Sequence, residues 1–495
     1  MNRMEFATLI QALEYHAEKQ PTKLLIADGE HEIHYAEFFS AVKEFACFLN
    51  RNGVVPGDIV AVQNAQTASF AVAAFGAQAC GCICVPIDGD ASQARIKQIL
   101  SQTGARFAVV KQDLNCGVPY IRSDQVLSDA YERCSCDLPK IDPDQVSEIL
   151  FTTGTTGASK GVMHTYRSEY ACAENQIHSI CATPDDVWLI PMPLSHAMGL
   201  RKLHGAILSG GTVVLTNGVT FAGALFGAME RYHVTILSLV PAYLAILLRM
   251  WDKELKRFDS LLKCVRLGSG AVPKHDLEWL SEVLPHVTVC ICYGSSEASD
   301  CAYYRYKGYP EKIGCVGSVN RNARIRLLDE DGGEITASDI PGRIELSGTN
   351  LMCGYFGDEE LTRSVLINGR LTSGDIGYFG KDGLLYLIGR ADEVINSGGY
   401  KIAPGEVEEA AQRINGIADC ACIAAPDAIL GQIPVLAVVM QSGHPFSAER
   451  IYTALYEALE QHLLPRVIVE MENIPRTANG KPQRAMLKKR LFPEE

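Results

Sequence analysis

The densest chemistry in the chain is the run Phe151-Thr152-Thr153-Gly154-Thr155-Thr156-Gly157-Ala158-Ser159-Lys160-Gly161. Three glycines, four threonines, Ser159 and Lys160 follow a short apolar stretch, Ile149–Phe151. Such a loop offers backbone N–H groups and hydroxyls to an anion, with a compact positive charge beside them. That donor set suits phosphate. A Walker A loop has Gly before Lys and Ser or Thr after it; here Ser159 precedes Lys160 and Gly161 follows, so the P-loop nucleotidases are set aside. A flexible surface turn with a solvated lysine is the plain alternative reading.

The run resembles the signature loop of the adenylate-forming (AMP-binding) superfamily, which comprises acyl- and aryl-CoA synthetases, peptide-synthetase adenylation domains and luciferases. The usual pattern is Thr-Ser-Gly-Thr-Thr-Gly-x-Pro-Lys-Gly, with Thr153 and Ser159 as the departures here. Further segments resemble that family in its own order. Pro193-Leu194-Ser195-His196 is similar to the segment carrying a gate histidine beside the carboxylate. Gly268-Ser269-Gly270-Ala271 is similar to the small-residue turn between adenine and the acyl pocket, and Tyr293-Gly294-Ser295-Ser296-Glu297 to the Tyr-Gly-x-Thr-Glu motif. Ser373-Gly374-Asp375 is similar to the Thr-Gly-Asp motif whose carboxylate accepts from the ribose hydroxyls. Arg390 resembles the arginine near the ribose, and Asp392 falls at the family's hinge. Gly399, Tyr400 and Lys401 resemble the loop that faces the thiol acceptor. Pro475–Lys481 resembles the loop carrying the catalytic lysine, Lys481. Taken singly, Asp375, Arg390 and Lys481 read as ordinary surface charges, and a histidine near a proline as a packed one; the order and separations join them.

The resemblance implies a reaction in two halves. A carboxylate attacks the α-phosphate of ATP to give acyl-AMP and pyrophosphate, and a thiol then takes the acyl group and releases AMP. Two anions meet in the first half, so positioning and charge neutralisation carry the catalysis. Thr152, Thr153, Gly154, Thr155, Thr156 and Lys160 hold the phosphates on this reading. Gly268, Ser269, Gly270, Tyr293, Gly294, Ser296, Asp375 and Arg390 hold the nucleoside. Glu297 takes Mg²⁺, a hard cation suited to carboxylate and phosphate oxygens. Lys481 stabilises charge shared by the carboxylate and the α-phosphate, and His196 gates the acid. The partners are then a carboxylic acid and coenzyme A, or a carrier protein bearing phosphopantetheine. An acyl- or aryl-CoA ligase is the leading reading, an enzyme loading a carrier protein the second, and a nucleotide-binding protein without ligase activity the third. Pro191–His204 contains no Asp or Glu to pair an α-amino group, which disfavours amino-acid substrates. Small residues at Ala242, Gly268 and Gly270 leave room for an aryl or acyl group.

The elements that must position these residues follow from periodicity. Tyr35–Asn50 carries apolar residues at helical spacing, and Ile59–Gln63, Ala68–Ala79 and Cys82–Ile87 read as strand, helix and strand. Strands are expected at Val187–Ile190, Thr212–Leu215, Thr235–Leu239, Cys264–Leu267 and Val287–Cys292, with helices between. From Asn322 the texture changes to short strands and Gly/Asp turns. Ala391–Pro404 reads as a boundary. Beyond it, Glu406–Ile414 and the Ile451, Leu455, Leu459, Leu463 series read as helices, and Pro475–Lys489 as a basic, turn-rich tail. The expected fold class is α/β: a large multi-layered N-terminal domain, 1–390, with a β-rich subregion, and a small mobile α+β C-terminal domain, 391–495.

Composition narrows the partners. The 495 residues have a formal net charge of −13, unsuited to neutralising nucleic-acid phosphates or binding an anionic membrane. Seventeen cysteines in so long a chain, with no CxxC spacing, do not read as a disulfide scaffold or a zinc site. Cys80, Cys82 and Cys84 read as small buried residues on one face of a strand. The uncharged span Ile59–Ile87 is interrupted by polar residues and glycines, so it reads as β/α/β rather than a membrane span. Met1–Gln20 has no uninterrupted apolar core, and the chain is expected to be cytoplasmic.

Overall fold

The computed structural model describes residues 6–63, 66–115, 117–128, 137–152, 160–391, 393–397, 400–477 and 480–492. Two sheets and the helices between them form the larger part. A seven-stranded sheet is mostly parallel, with Ile59–Gln63, Ile83–Ile87 and Phe107–Val110 side by side. Its other half includes the antiparallel pair Val146–Thr152 and Lys160–Thr165. A second, longer sheet runs parallel through Thr212–Leu215, Val187–Ile190, Ile236–Leu239, Cys264–Leu267 and Thr288–Ser295, then turns antiparallel from Ser299–Lys307 onward.

One apolar core fills the space between these sheets. It includes Phe38, Val42 and Phe45 of the Tyr35–Arg51 helix, Phe70 and Phe75 of the Ala68–Ala79 helix, and Leu200 and Leu203 of the Ala197–Ser209 helix. Every residue of Ala68–Ala79 is buried, so its lack of charge and of a polar face belongs to a core helix. Among the described residues no helix is long and apolar enough to cross a membrane. A second core, with Leu237, Leu239, Val265 and Leu267, lies on the opposite face of the long sheet. Buried strands alternate their side chains between the two cores, as the period of two requires.

The antiparallel end of the long sheet is the β-rich subregion, built from Ala323–Leu328, Gly342–Gly348, Arg370–Phe379 and Leu385–Arg390. After Arg390 a separate sheet forms from Ile395–Ser397, Tyr400–Ile402, Ile417–Asp427, Gly431–Met440 and Val467–Glu470. Its own core holds Ile395, Val407, Leu436, Ile451 and Leu455.

Three expectations need correction. The basic tail is not all turn: Arg484–Leu491 is a helix, anchored by buried Leu487. The amphipathic helix is Ala448–Ala458, ending before Leu459, and Leu463 lies in a separate turn of 3₁₀ helix. Cys80, Cys82 and Cys84 are buried, yet they do not share a strand. Cys80 caps the Ala68–Ala79 helix, Cys82 lies in the turn, and only Cys84 enters Ile83–Ile87. Gly81, at φ +79°, supplies the left-handed step that separates them.

Candidate active site

The Thr288–Ser295 strand enters the site at the hinge of a hairpin with Ser299–Lys307. A Cβ on Gly294 would fall 1.7 Å from the Ser299 carbonyl oxygen, so only glycine permits this turn. The turn leaves Tyr293 buried, its hydroxyl donating to Asp375 Oδ2 at 2.7 Å. Asp375 and Arg390 are cross-strand partners in the β-rich subregion. The Arg390 guanidinium donates to the Ser373 carbonyl at 2.9 Å and to Asp375 Oδ1 at 3.4 Å. Burial raises the Asp375 carboxyl above its ordinary value, against the opposing pull of Tyr293, Arg390 and Lys481.

Thr152 and Lys160 face each other across the antiparallel pair that closes the phosphate loop. Thr153, Gly154, Thr155 and Thr156, within that loop, lie outside the described residues. Lys160 Nζ sits 5.4 Å from the centre of the Tyr355 ring, a cation–π distance. The same tyrosine donates its hydroxyl to Glu297 Oε1 at 2.9 Å. Tyr355 therefore ties the loop lysine to the motif carboxylate. Glu297 is further fixed by its own carbonyl, which accepts from Met352 N–H at 2.7 Å, and the neighbouring Ser296 carbonyl lies 2.8 Å from His164 Nε2. Among the described residues no cluster of three metal-ligating side chains exists. A single hard carboxylate, held in place with one oxygen uncommitted to Tyr355, fits Mg²⁺, which is commonly held by one or two carboxylates plus phosphates and water.

His196 is the N-cap of the Ala197–Ser209 helix, and its Nε2 lies 3.1 Å from Asp88 Oδ2. The hydrogen bond to His196 holds the Asp88 carboxyl below its ordinary range. Asp88 comes from the loop after Ile83–Ile87, more than a hundred residues away. The absence of acid in Pro191–His204 therefore does not leave the gate without a carboxylate, and that ground for disfavouring amino acids is lost.

At Gly268-Ser269-Gly270 the Cys264–Leu267 strand ends in a tight turn, with Ser269 at φ +75°. This turn meets the C-terminal domain. The position a Gly270 Cβ would take is 3.7 Å from Lys481 Cε, and that of Gly480 is 2.9 Å from Ala242 Cβ. The first distance is an ordinary van der Waals contact that a side chain would tolerate, whereas the second is too close for one, so Gly480, at φ +79°, is the glycine this approach requires. The Lys481 loop is braced from within: Arg476 grips Asp419 through Nε at 3.0 Å and donates to the Gly480 carbonyl at 2.7 Å. Thr477 N–H donates to the Lys481 carbonyl at 2.9 Å. Burial lowers the Lys481 amine below its ordinary value, while Asp375, Glu393 and Glu297 draw it back up. Lys481 thus lies within the electrostatic reach of Asp375, Glu393 and Glu297.

Tyr293, Asp375, Arg390, Glu297, Lys160 and Lys481 thus share one site, with Thr152, Gly268, Ser269, Gly270, Gly294 and Ser296 on its backbone turns. Asp392 and Gly399 lie outside the described residues, and Tyr400 and Lys401 are placed by their backbone alone, in the Tyr400–Ile402 strand. Tyr355, Asp88 and the Arg476–Asp419 pair were missed by sequence reasoning. Arg476 stands inside a quoted motif and could have been flagged; Tyr355 and Asp88 carry no local signal.

Comparison with known proteins shows the family and the fold. The AMP-binding enzyme family matches residues 13–356, and the AMP-binding enzyme C-terminal domain matches residues 406–481. The 2-succinylbenzoate–CoA ligase of Bacillus subtilis is 28% identical over 478 residues, covering 95% of this chain and 96% of its own. Among solved structures, ATP-bound MatB from Rhodopseudomonas palustris superposes with a TM-score of 0.88 at 23% identity, covering 99% of each chain, which speaks for the fold. The o-succinylbenzoate CoA synthetase MenE from Bacillus subtilis, in complex with the acyl-adenylate OSB-AMP, gives 0.85 at 27% identity over 96% of this chain and 97% of that one.

Proposed function

The chain belongs to the AMP-binding enzyme family, and from that premise we propose that it is an AMP-forming acid–thiol ligase acting as an acyl- or aryl-CoA synthetase. The observation that carries the reading is the seat of Lys481. A cation from the C-terminal domain rests against the Gly268–Gly270 turn, within the field of Asp375 and Glu297. A protein that only bound nucleotide would have no need of this arrangement.

The residues divide the first half-reaction among them. Tyr293, Asp375 and Arg390 orient the nucleoside. Thr152 and Lys160 flank the loop for the β- and γ-phosphates. Mg²⁺, when bound, supplies Lewis-acid neutralisation of phosphate oxygens, and Glu297 is the residue that would hold it. His196, oriented by Asp88, stands at the start of the helix that borders the acid. Lys481 offsets the charge that builds as the carboxylate oxygen bonds to the α-phosphorus and pyrophosphate departs. In the second half the acceptor thiol bonds to the acyl carbon and AMP leaves.

We further propose that domain 391–495 rotates about Asp392 between the halves, which would carry Lys481 away and bring Gly399, Tyr400 and Lys401 forward. The proposed acceptor is CoA, and the proposed compartment is the cytoplasm, where ATP and CoA meet. The test is pyrophosphate and AMP release over a panel of carboxylic acids, with CoA, with a phosphopantetheinylated carrier protein, and with neither. AMP release that depends on CoA supports the reading. Dependence on the carrier protein alone replaces the acceptor, and no acid-dependent pyrophosphate from any acid overturns the ligase.

A further inference from the structure

The Ala197–Ser209 helix begins at the gate, His196, and runs along the inner face of the long sheet. Met198 and Lys202 lie one turn apart on it. Met198 Cε is 3.3 Å from where a Gly268 Cβ would be, so this face of the helix borders the small-residue turn. Lys202 is 1% exposed. Among the described residues it makes no hydrogen bond and no ion pair. Beside it stands Arg266, in the Cys264–Leu267 strand two residues before Gly268. Arg266 is wholly buried and paired with Asp300. Its Nη1 lies 3.9 Å from Met198 Sδ, which brings it under the same turn of helix.

The charges here do not balance. Asp300 is committed to Arg266, so Lys202 is left as a buried cation with no counter-ion in ion-pair reach. The surrounding polar atoms are short of partners as well. Ser238 is the cross-strand neighbour of Arg266, and Ser238 Oγ and Arg266 Nε are both buried with no hydrogen-bond partner among the described residues. Unpaired buried polar groups are rare because each forfeits its hydration. A cluster of them behind a substrate gate is the signature of a site completed by ligand. Burial, followed by the repulsion of Arg266, pushes Lys202 down to about 7, against the pull of Asp300 and Cys292; Arg201 adds further repulsion. An arriving anion would remove that penalty and restore the full charge.

Resting on the ligase reading above, we infer that Lys202, flanked by Arg266 and Ser238, holds a second carboxylate of the acid, so that the substrate is a dicarboxylic acid. One carboxylate is activated near His196 and Lys481, and the other is bound by Lys202. Six residues of helix separate His196 from Lys202, an axial rise of about 9 Å. That rise sets the scale of the spacer between the two acid groups, longer than in malonate and within reach of an aryl or medium aliphatic chain. The same cation would make an apolar tail a poor occupant, because it would bury an amine with nothing to accept from it.

The experiment compares matched pairs: adipate against hexanoate, suberate against octanoate, and carboxyphenylpropanoate against tolylpropanoate. AMP release with ATP, Mg²⁺ and CoA is read for the full chain. The diacid should exceed its isostere at least tenfold in kcat/KM in one or more pairs, and Lys202→Met should erase that preference while Lys202→Arg retains part of it. The unmutated protein supplies a readout that survives a variant failing to fold. Binding of the preferred diacid near neutral pH should take up protons, seen as a binding heat that depends on the ionisation enthalpy of the buffer. Monoacids preferred throughout, with thioester formed, would overturn the Lys202 inference and leave the ligase standing. AMP release from no acid, with diacids still bound and taking up protons, would overturn the ligase and leave the anion site. Diacid binding without proton uptake and unaffected by Lys202→Met would overturn the site itself.

Discussion

The Tyr355 hydroxyl donates to Glu297 Oε1 at 2.9 Å, while its ring receives Lys160 on its face at 5.4 Å. One tyrosine thus contacts both charges proposed to bracket the triphosphate, a cation from the loop and an anion from the Tyr293–Glu297 turn. Tyr355→Phe keeps the ring and removes the hydroxyl. Hydrogen bonds to charged groups contribute roughly 1.5–3 kcal/mol. The Mg²⁺ concentration for half-maximal pyrophosphate release should therefore rise by about tenfold, with the Lys160 contact retained. An unchanged Mg²⁺ titration in Tyr355→Phe, alongside a shifted one in Glu297→Gln, would show that the tyrosine does not orient the ligand.

In the proposed mechanism Lys481 separates the two half-reactions. On that mechanism its charge, in the field of Asp375 and Glu297, acts while carboxylate and phosphate are forced together. Lys481→Ala should raise the barrier to acyl-AMP formation by about 3–4 kcal/mol, the range of a preorganised electrostatic stabiliser. Thioester formation from a chemically supplied acyl-adenylate and CoA should be nearly normal. Equal defects in both assays would contradict a lysine that serves one conformation.

Asp375 accepts from Tyr293 and Arg390 and is kept short of solvent. Asp375→Asn should weaken ATP binding by about tenfold or more through the loss of a charged acceptor for the ribose. The unmutated protein should also discriminate against dideoxy-ATP, and Asp375→Asn should lose much of that discrimination. Equal affinity of the unmutated protein for both nucleotides would remove the ribose role.

The brace on the catalytic loop is a separate prediction. Arg476 joins Asp419 to the Gly480 carbonyl, so Arg476→Met should free the Lys481 loop without touching nucleotide. Acyl-AMP formation should fall, ATP affinity should hold, and Asp419→Asn should show a smaller defect in the same step. A loss confined to thioester transfer would place Arg476 elsewhere in the cycle.

Beneath the phosphate strand, Glu148 and Arg201 form a buried pair between the two sheets, with His164 and His204 close by. Burial and the Arg201 charge lower His164 to about 4 and His204 to about 3. Burial opposes ionisation of Glu148, yet Arg201 and the histidines outweigh it and hold the carboxyl at about 2. Below pH 6.5, the ordinary histidine value, the unfolded chain binds protons that the folded histidines refuse, so stability falls as pH drops towards about 4. Below 4.5 the Glu148 contribution is lost in the same direction. Glu169, raised by burial and by Glu148, opposes this trend. In melting curves across this range, His204→Asn should flatten the acid limb and Glu169→Gln should steepen it. The reverse order would mean that the histidines are protonated in the folded protein.

The parts of the candidate site that are local leave contiguous traces in the sequence. A phosphate loop needs its glycines and hydroxyls adjacent, and a strand-end turn needs Gly294 next to Tyr293, so both leave contiguous traces. The parallel strands at Val187–Ile190 and Thr212–Leu215 are legible for the same reason: burial on both faces favours near-continuous apolar runs. The tail helix Arg484–Leu491 escaped because half of its residues are charged and it is short, and one buried leucine with the Arg484 ion pairs to Glu393 and Glu408 holds it in place. What tertiary structure alone decided is pairing across distance. Asp88 meets His196, Tyr355 meets Glu297, and Lys202 is left beside an Arg266 already taken by Asp300. None of these has a spacing to read, since the residues lie on separate elements and the contacts depend on sheet register and helix packing. The sequence determined which chemistry the chain could perform; the fold decided which charges were matched and which one was left waiting for a ligand.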